Sequence, residues 1–589
     1  MTKEKITKYI EEKNWADAKQ AINEYLENNQ IDIEIKKLLG LCNVNLGLNE
    51  EAKENFESVI QEMPDDALSY YYLGTINLEL GDYVKAENFL NKVIELREDY
   101  LDAYKSICIA YIKQRKFDKI LSLEEKMLQI APNDAQIYDI MSASLLEEGN
   151  TTLAIEKLEQ AVTIMPDNSR YYNKLGLAYF SNNNVQKAIE LYKKAISFND
   201  NDAAPFYNLG LALFAIEDFK ESAEYLKKAC EIEPRVSYTN AFAISSLKAQ
   251  NFEDAIEAYS KLLVSAPDKE NYKYNLACAY DGAGKLEKAI KIIERLVTFN
   301  LNSTQLKIHL ASLYSRTNKL EAAKILYSDI VAAGNMRIDV LYDYAMACAR
   351  TEDSDKAEEV LKKIIKIDPN FVFAYKDLGI IYLSRRLFDQ ASEYFKIAYK
   401  IQPENKHVVF EYANYYHLMA DFKQAKKMYN KLLALGDTPV FMQIAVAINY
   451  MSMNMIKEAK ELLTDAISKE PQNIEVLFKL AQIYTFEKNY ENARQLLEDA
   501  YTLMPNTEIA NLLAQVYFET GLYNESYALY NIVNLAIPNN TGILYNLAKC
   551  KKATKEYTLA KEHLDTLLKI FPEHEDANEL LKELEKETN

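Results

Sequence analysis

A fixed spacing of about 34 residues constrains this chain more than any other feature. Pro132 and Pro166 stand 34 residues apart, as do Pro369 and Pro403, Pro471 and Pro505, and Pro538 and Pro572. Pro64, Pro234 and Pro267 lie on the same ruler, every gap being a multiple of 34 or one short of it. Alanine keeps the same cadence at Ala18, Ala52, Ala86, Ala154, Ala188, Ala255, Ala289, Ala323, Ala357, Ala391, Ala425, Ala459, Ala493 and Ala560, and its three missing beats hold Ile120, Ser222 and Ser526. A period of this length, with a small residue inside and a proline at its close, marks stacked helical hairpins. Length alone suggests several globular domains for 589 residues; a repeat that runs end to end replaces them with one quasi-linear array.

The chemistry of one unit explains the residue types. Between Phe371 and Gln402, Tyr375, Leu378, Gly379 and Tyr382 follow the spacing of one helical face, and Ala391, Phe395 and Ala398 do the same for a second helix. Gly379 and Ala391 lack bulk where two helix axes approach, and the larger side chains fill the space around that contact. Pro403 cannot continue a helix, and the Asp or Asn that follows such prolines in PDDA (from Pro64), PNDA (from Pro132) and PDNS (from Pro166) is suited to cap the next one. The closing proline is missing near Glu98, Asp200, Leu301, Asn335 and Asp437, and Gly334 and Gly436 sit in repeat junctions. Irregular stacking is expected at those junctions.

The strings YYLG at Tyr71, FYNLG at Phe206, KYNLA at Lys273, KDLGIIY at Lys376 and LYNLA at Leu544, with the central alanine and closing proline, resemble the tetratricopeptide repeat (TPR) family. The resemblance recurs in phase about seventeen times and covers essentially the whole chain. It implies an all-α fold, an α-solenoid of about seventeen tandem repeats wound into a right-handed superhelix whose first helices line a concave groove. The expected organisation is a run of repeats over 1–303, a second, continuous run over 304–574, and a C-terminal capping helix over 575–589, where Ala577, Leu580, Leu581 and Leu584 form the only apolar stripe. At the other end Trp15, Ala18, Ile22 and Tyr25 share a face of one helix, so the array is expected to begin almost at residue one.

Composition narrows the function. The 14 Gly and 13 Pro are too few for flexible linkers, and a net charge of −19 repels phosphate backbones and anionic membrane surfaces. Nucleic acid is therefore not an expected partner. Six cysteines (Cys42, Cys108, Cys230, Cys278, Cys348 and Cys550) lie far apart with no C-x-x-C pair, which points to neither a disulfide framework nor a zinc site. Without a signal-like apolar run or a membrane-spanning stretch, a soluble cytoplasmic protein is expected. Neither a Gly-rich phosphate loop nor G-x-S-x-G occurs. His407 and His417, ten residues apart, lie about 15 Å apart along a helix and cannot share a metal. No cofactor and no catalysis are expected.

Candidate site residues come from the groove phase that the resemblance implies. One position holds Tyr71, Tyr207, Tyr274, Tyr342, Phe410, Phe478 and Tyr545, with Asn208, Asn275 and Asn546 immediately after three of them. Aromatic rings supply rigid contact area for an extended peptide, and an amide side chain can donate and accept at once. Two readings stand side by side: these residues contact a ligand, or the rings pack against the next repeat and the amides satisfy the scaffold. The lysine pattern of a carboxylate clamp is absent in that phase. The sequence is read as a non-catalytic scaffold or adaptor that captures protein segments. Its rivals are a targeting or regulatory subunit of a separately encoded glycosyltransferase or peptidase, and a structural protein that self-associates.

Overall fold

In a computed structural model, which describes residues 2–28 and 32–588, the described chain forms 35 helices and no strand. The helices pair in order, from Lys3–Glu11 with Trp15–Asn28 to Thr541–Ala553 with Tyr557–Ile570, and Glu575–Thr588 follows alone. That is seventeen hairpins and one further helix, the number that the proline and alanine rulers give.

Each hairpin closes on the small residue of its first helix. A Cβ added to Gly74 would meet Leu90 at 2.6 Å, one on Gly210 would meet Leu226 at 2.5 Å, and one on Gly379 would meet Phe395 at 2.7 Å. These glycines therefore set the distance between the two helices of a pair. The alanines of the second ruler are fully buried beside that contact, among them Ala52, Ala188, Ala391 and Ala493. Ser222 and Ser526, which replace two of them, keep their buried hydroxyls satisfied by donating to the carbonyls of Gly210 and Ala514, both at 2.7 Å.

The turns and caps are equally regular. Asp66, Asp134 and Asn168 accept backbone hydrogen bonds as N-caps, as the residues after Pro64, Pro132 and Pro166 suggest. Every hairpin turn contains one residue in the left-handed region, from Lys13 through Gly47, Gly81 and Arg115 to Lys555. At the two glycine junctions the second helix stops one residue early: Leu320–Ala332 and Phe422–Ala434 have 13 residues where their counterparts have 14. Gly334 and Gly436 there adopt φ +94° and +72° and end those helices.

Contacts divide the chain into two compact units, Met1–Leu313 and Tyr314–Asn589. Within each unit most first helices pack on their own partner and on the second helix before them, and many also touch a neighbouring first helix. Ala67–Glu79 touches Leu101–Gln114, which touches Ala135–Glu148; in the other unit Val372–Ser384, Lys406–Leu418 and Val440–Ser452 form a similar series. Neighbouring second helices make at most marginal contact. Crowding on one side and spreading on the other puts the first helices on the inner side of each unit.

Candidate protein-binding face

The expected groove residues all lie on first helices, three places before the small residue that meets the partner helix. Six of the seven rings lean on the following hairpin. Tyr71 lies 5.2 Å from Tyr100, Tyr207 stacks on Tyr238 at 4.5 Å, Tyr274 meets His309 edge-on at 5.7 Å, and Tyr545 stacks on His574 at 5.5 Å. Tyr342 sits between Phe371 at 5.4 Å and Phe373 at 6.3 Å, and Phe410 meets Phe441 edge-on at 5.6 Å. Phe478 has Lys479 over its ring at 5.7 Å. Phe410 is buried and the other six are half-buried. Burial pushes the phenols of Tyr71, Tyr274 and Tyr342 up.

Two of the three asparagines are engaged by the scaffold. Asn208 donates to Asn173 Oδ1 of the preceding repeat at 2.9 Å, and Asn275 donates to the Tyr259 hydroxyl at 3.0 Å. Asn546 makes no side-chain hydrogen bond among the described residues.

Sequence reasoning did not single out the next place along the face, directly after the small residue. There Ile109 and Leu177 are 45% and 44% exposed. Phe441, at the start of its helix, is 54% exposed. The signal was present as apolar residues in a phase that the hairpin core does not use. In the first unit Ile109 borders a cleft of about 330 Å³, which Tyr71, Asp102, Lys105, Asp139, Arg170 and Lys174 also line from four successive first helices. Lys105 pairs with Asp134 at 2.5 Å and Lys174 with Asp139, while Arg170 has no ion pair among the described residues. In the second unit three successive repeats carry Asp343, Asp377 and Glu411. Asp377 accepts from Tyr342 at 2.8 Å and pairs with Lys376 at 2.5 Å. Asp343 accepts from Tyr327 at 3.4 Å, Glu411 accepts from Asn414 at 3.5 Å, and burial raises both carboxyls.

This face offers ring surfaces, amides and charges, with no activated nucleophile. Burial raises the thiols of Cys42 and Cys108 to about 11 and about 12, far from thiolates at neutral pH. Among the described residues no three His, Cys, Asp or Glu side chains converge on a metal position, and no helix is long and apolar enough to cross a membrane.

Sequence models described as TPR repeat or tetratricopeptide repeat match 46–108, 144–183, 176–217, 203–235, 240–300, 450–516 and 543–574. The chain is a tetratricopeptide repeat protein. A further TPR-like model, the middle domain of cilia and flagella-associated protein 70, matches 308–409. Human protein O-mannosyl-transferase TMTC1 is 20% identical over 178 residues, which are 29% of this chain and 20% of that protein. The chain thus spans about a fifth of that relative. Among solved structures, a chain of the APC/C hetero-tetramer Cut9–Hcn1 is 17% identical over 83% of this chain and 96% of its own, with a TM-score of 0.35. PilF of Pseudomonas aeruginosa is 20% identical over 36% and 97%, with a TM-score of 0.33. MamA of Desulfovibrio magneticus RS-1 is 21% identical over 28% and 95%, with a TM-score of 0.27. Repeats of this family indicate a protein-interaction scaffold.

Proposed function

We propose that this TPR protein is a non-catalytic adaptor that holds extended protein segments against its first helices. The observation that carries the reading is the inner face itself. It is crowded and pre-formed, and it leaves apolar side chains such as Ile109, Leu177 and Phe441 exposed beside ions and amides. A segment laid on it buries apolar surface without ordering a loop, so little of the binding energy is spent on organising the scaffold. The half-buried rings of Tyr207, Tyr274 and Tyr342 serve two purposes in this reading: one side holds the next repeat and the other meets the ligand. Net charge −19 speeds encounter with neutral or basic segments at low salt.

A second reading, the targeting subunit of a separately encoded glycosyltransferase, leans on the partial similarity to a human protein named as an O-mannosyl-transferase. Purification of the tagged full chain from its native cells separates the two. An adaptor brings down several client proteins in variable amounts. A targeting subunit brings down one enzyme at fixed stoichiometry, and recovery of the chain alone, as a monomer or as a self-assembled species, contradicts both.

A further inference from the structure

The chain is strongly acidic, yet one short stretch, at the end of the helix Thr541–Ala553 and in the turn after it, carries Lys549, Lys551, Lys552 and Lys555. A helix C-terminus favours cations, and that accounts for Lys551 and Lys552 in the last turn of Thr541–Ala553. Both also have acids: Lys551 pairs with Glu556 at 2.7 Å and Lys552 with Glu583. Neither explanation covers Lys549. Its ammonium lies 4.6 Å from the Phe518 ring centre and 5.9 Å from that of Tyr545, and it forms no hydrogen bond or ion pair among the described residues.

Around it is a cleft of about 400 Å³, walled by Phe518, Tyr545, Lys549, Lys555, Tyr557 and Leu580. The helix Glu575–Thr588 closes one side, so it does more than cover the last hairpin. Its carboxylates nearest the cleft are already committed, Glu583 to Lys552 and Glu587 to the hydroxyl of Tyr557. Asp576 and Glu579 come near the Tyr545 ring but form no ion pair with Lys549 or Lys555. Two ammonium groups therefore remain uncompensated beside apolar walls, one of them held between rings where water solvates it less well.

We propose that this cleft docks an acidic protein segment, with an internal Asp or Glu side chain set against Lys549 and Lys555 and an adjoining apolar side chain on Phe518 and Leu580. The occupant follows from charge complementarity: the acid supplies what the two lysines lack, and the apolar neighbour covers the ring and leucine surface that a bare anion would leave wet. The inference rests on the inner face being the binding face, and it gives the C-terminal end a preference opposite to that of the chain's overall field.

The test uses the full-length protein and a fluorescein-labelled, N-acetylated and C-amidated peptide in which Glu alternates with Leu and Phe, together with versions carrying Gln or Lys in place of Glu. The Glu peptide should bind at least about tenfold more tightly than either, and its affinity should fall as salt rises. Lys549→Met keeps the side-chain stem on the rings and removes the charge. It should weaken the Glu peptide about tenfold without shifting thermal unfolding, and Lys555→Gln, on an exposed turn, should weaken it severalfold. Equal binding of the Glu and Gln peptides, an unchanged affinity in Lys549→Met, or binding only when the peptide's C-terminal carboxylate is free each overturns the proposal. A photo-reactive form of the peptide that cross-links to first helices elsewhere also overturns it, while leaving the adaptor reading intact.

Discussion

The phenol of Tyr342 donates a 2.8 Å hydrogen bond to the carboxylate of Asp377 in the next hairpin, and Asp377 is 7% exposed. A residue in the expected ligand-contact row therefore also clamps two repeats together. Tyr342→Phe keeps the ring contacts and leaves the buried carboxylate with Lys376 alone. It should cost about 1.5 to 3 kcal/mol, the scale of a lost hydrogen bond to a charged group, read as earlier chemical denaturation. The double change Tyr274→Ala with Tyr342→Ala then separates the two roles. Anchors for a ligand lose about 2 kcal/mol or more of partner affinity, the hot-spot scale, measured below the unfolding transition. Rings that only pack leave that affinity unchanged and lower the melting temperature alone.

Gly176 faces Tyr192 so closely that an added Cβ would lie 2.6 Å from the ring. Gly176→Ala should cost about 1 to 3 kcal/mol by overpacking. In a quasi-one-dimensional array the loss stays in that hairpin and its neighbours. Hydrogen exchange resolved by peptide should show lowered protection over roughly Ser169–Phe198, and an even loss across the chain contradicts nearest-neighbour stacking.

Ala420 and Glu352 occupy the left-handed turn position with φ +58° and +61°, where glycine stands in other hairpins at Gly47, Gly81, Gly149, Gly284 and Gly521. A side chain there is strained by about 1 to 2 kcal/mol. Ala420→Gly should therefore stabilise its hairpin by about 1 kcal/mol after the added unfolded-state entropy of glycine is deducted. A denaturation midpoint that falls would refute the turn geometry.

Glu358 accepts from Lys362 at 2.6 Å, Tyr382 at 2.6 Å and Arg385 at 2.5 Å, and these donors lower its carboxyl from 4.5 to about 2. A carboxyl depressed in the folded state stabilises fully above its unfolded pKa. That stability is lost as pH falls from about 4.5 through about 2. Glu358→Gln should flatten this segment of the acid-unfolding profile and lower neutral-pH stability by about 1 to 3 kcal/mol. A variant with the same profile as the parent would show that the cluster contributes nothing.

The hairpin count was legible because Pro, Ala and Gly report backbone geometry directly. The proline that closes a repeat cannot continue the helix before it, and the contact of Gly379 with Phe395 leaves no room for a larger residue. Gly334 and Gly436 marked two of the junctions where irregular stacking was expected, and the helices before them are one residue short, whereas those before Glu98, Asp200 and Leu301 keep 14 residues. The left-handed turn was only half written, since Lys13, Arg115, Glu217, Gln250 and Lys488 adopt it without being glycine. A hairpin held closed by the packing of its two helices can force that conformation on nearly any residue. The use of each groove residue was less legible still. What Tyr342 or Asn208 touches depends on a neighbour some 30 residues away, Phe371, Asp377 or Asn173, and the period does not fix that residue's identity. Lys549 illustrates the limit: the sequence gives a lysine in an acidic chain, and only the fold sets it between Phe518 and Tyr545.

The central claim is that partners are held on the first helices. Its most direct test places a photo-reactive benzoyl-phenylalanine at single exposed sites in the full-length chain, irradiates living cells, and identifies what becomes attached. Ile109, Leu177 and Phe441 report the inner face; Val264 and Leu535, 86% and 81% exposed on second helices, report the outer one. The account predicts cross-links to other proteins from the three inner sites, weakened when Tyr274 and Tyr342 are both alanine, and none above background from the two outer sites. Partner cross-links that come from Val264 and Leu535 and not from the inner sites contradict it.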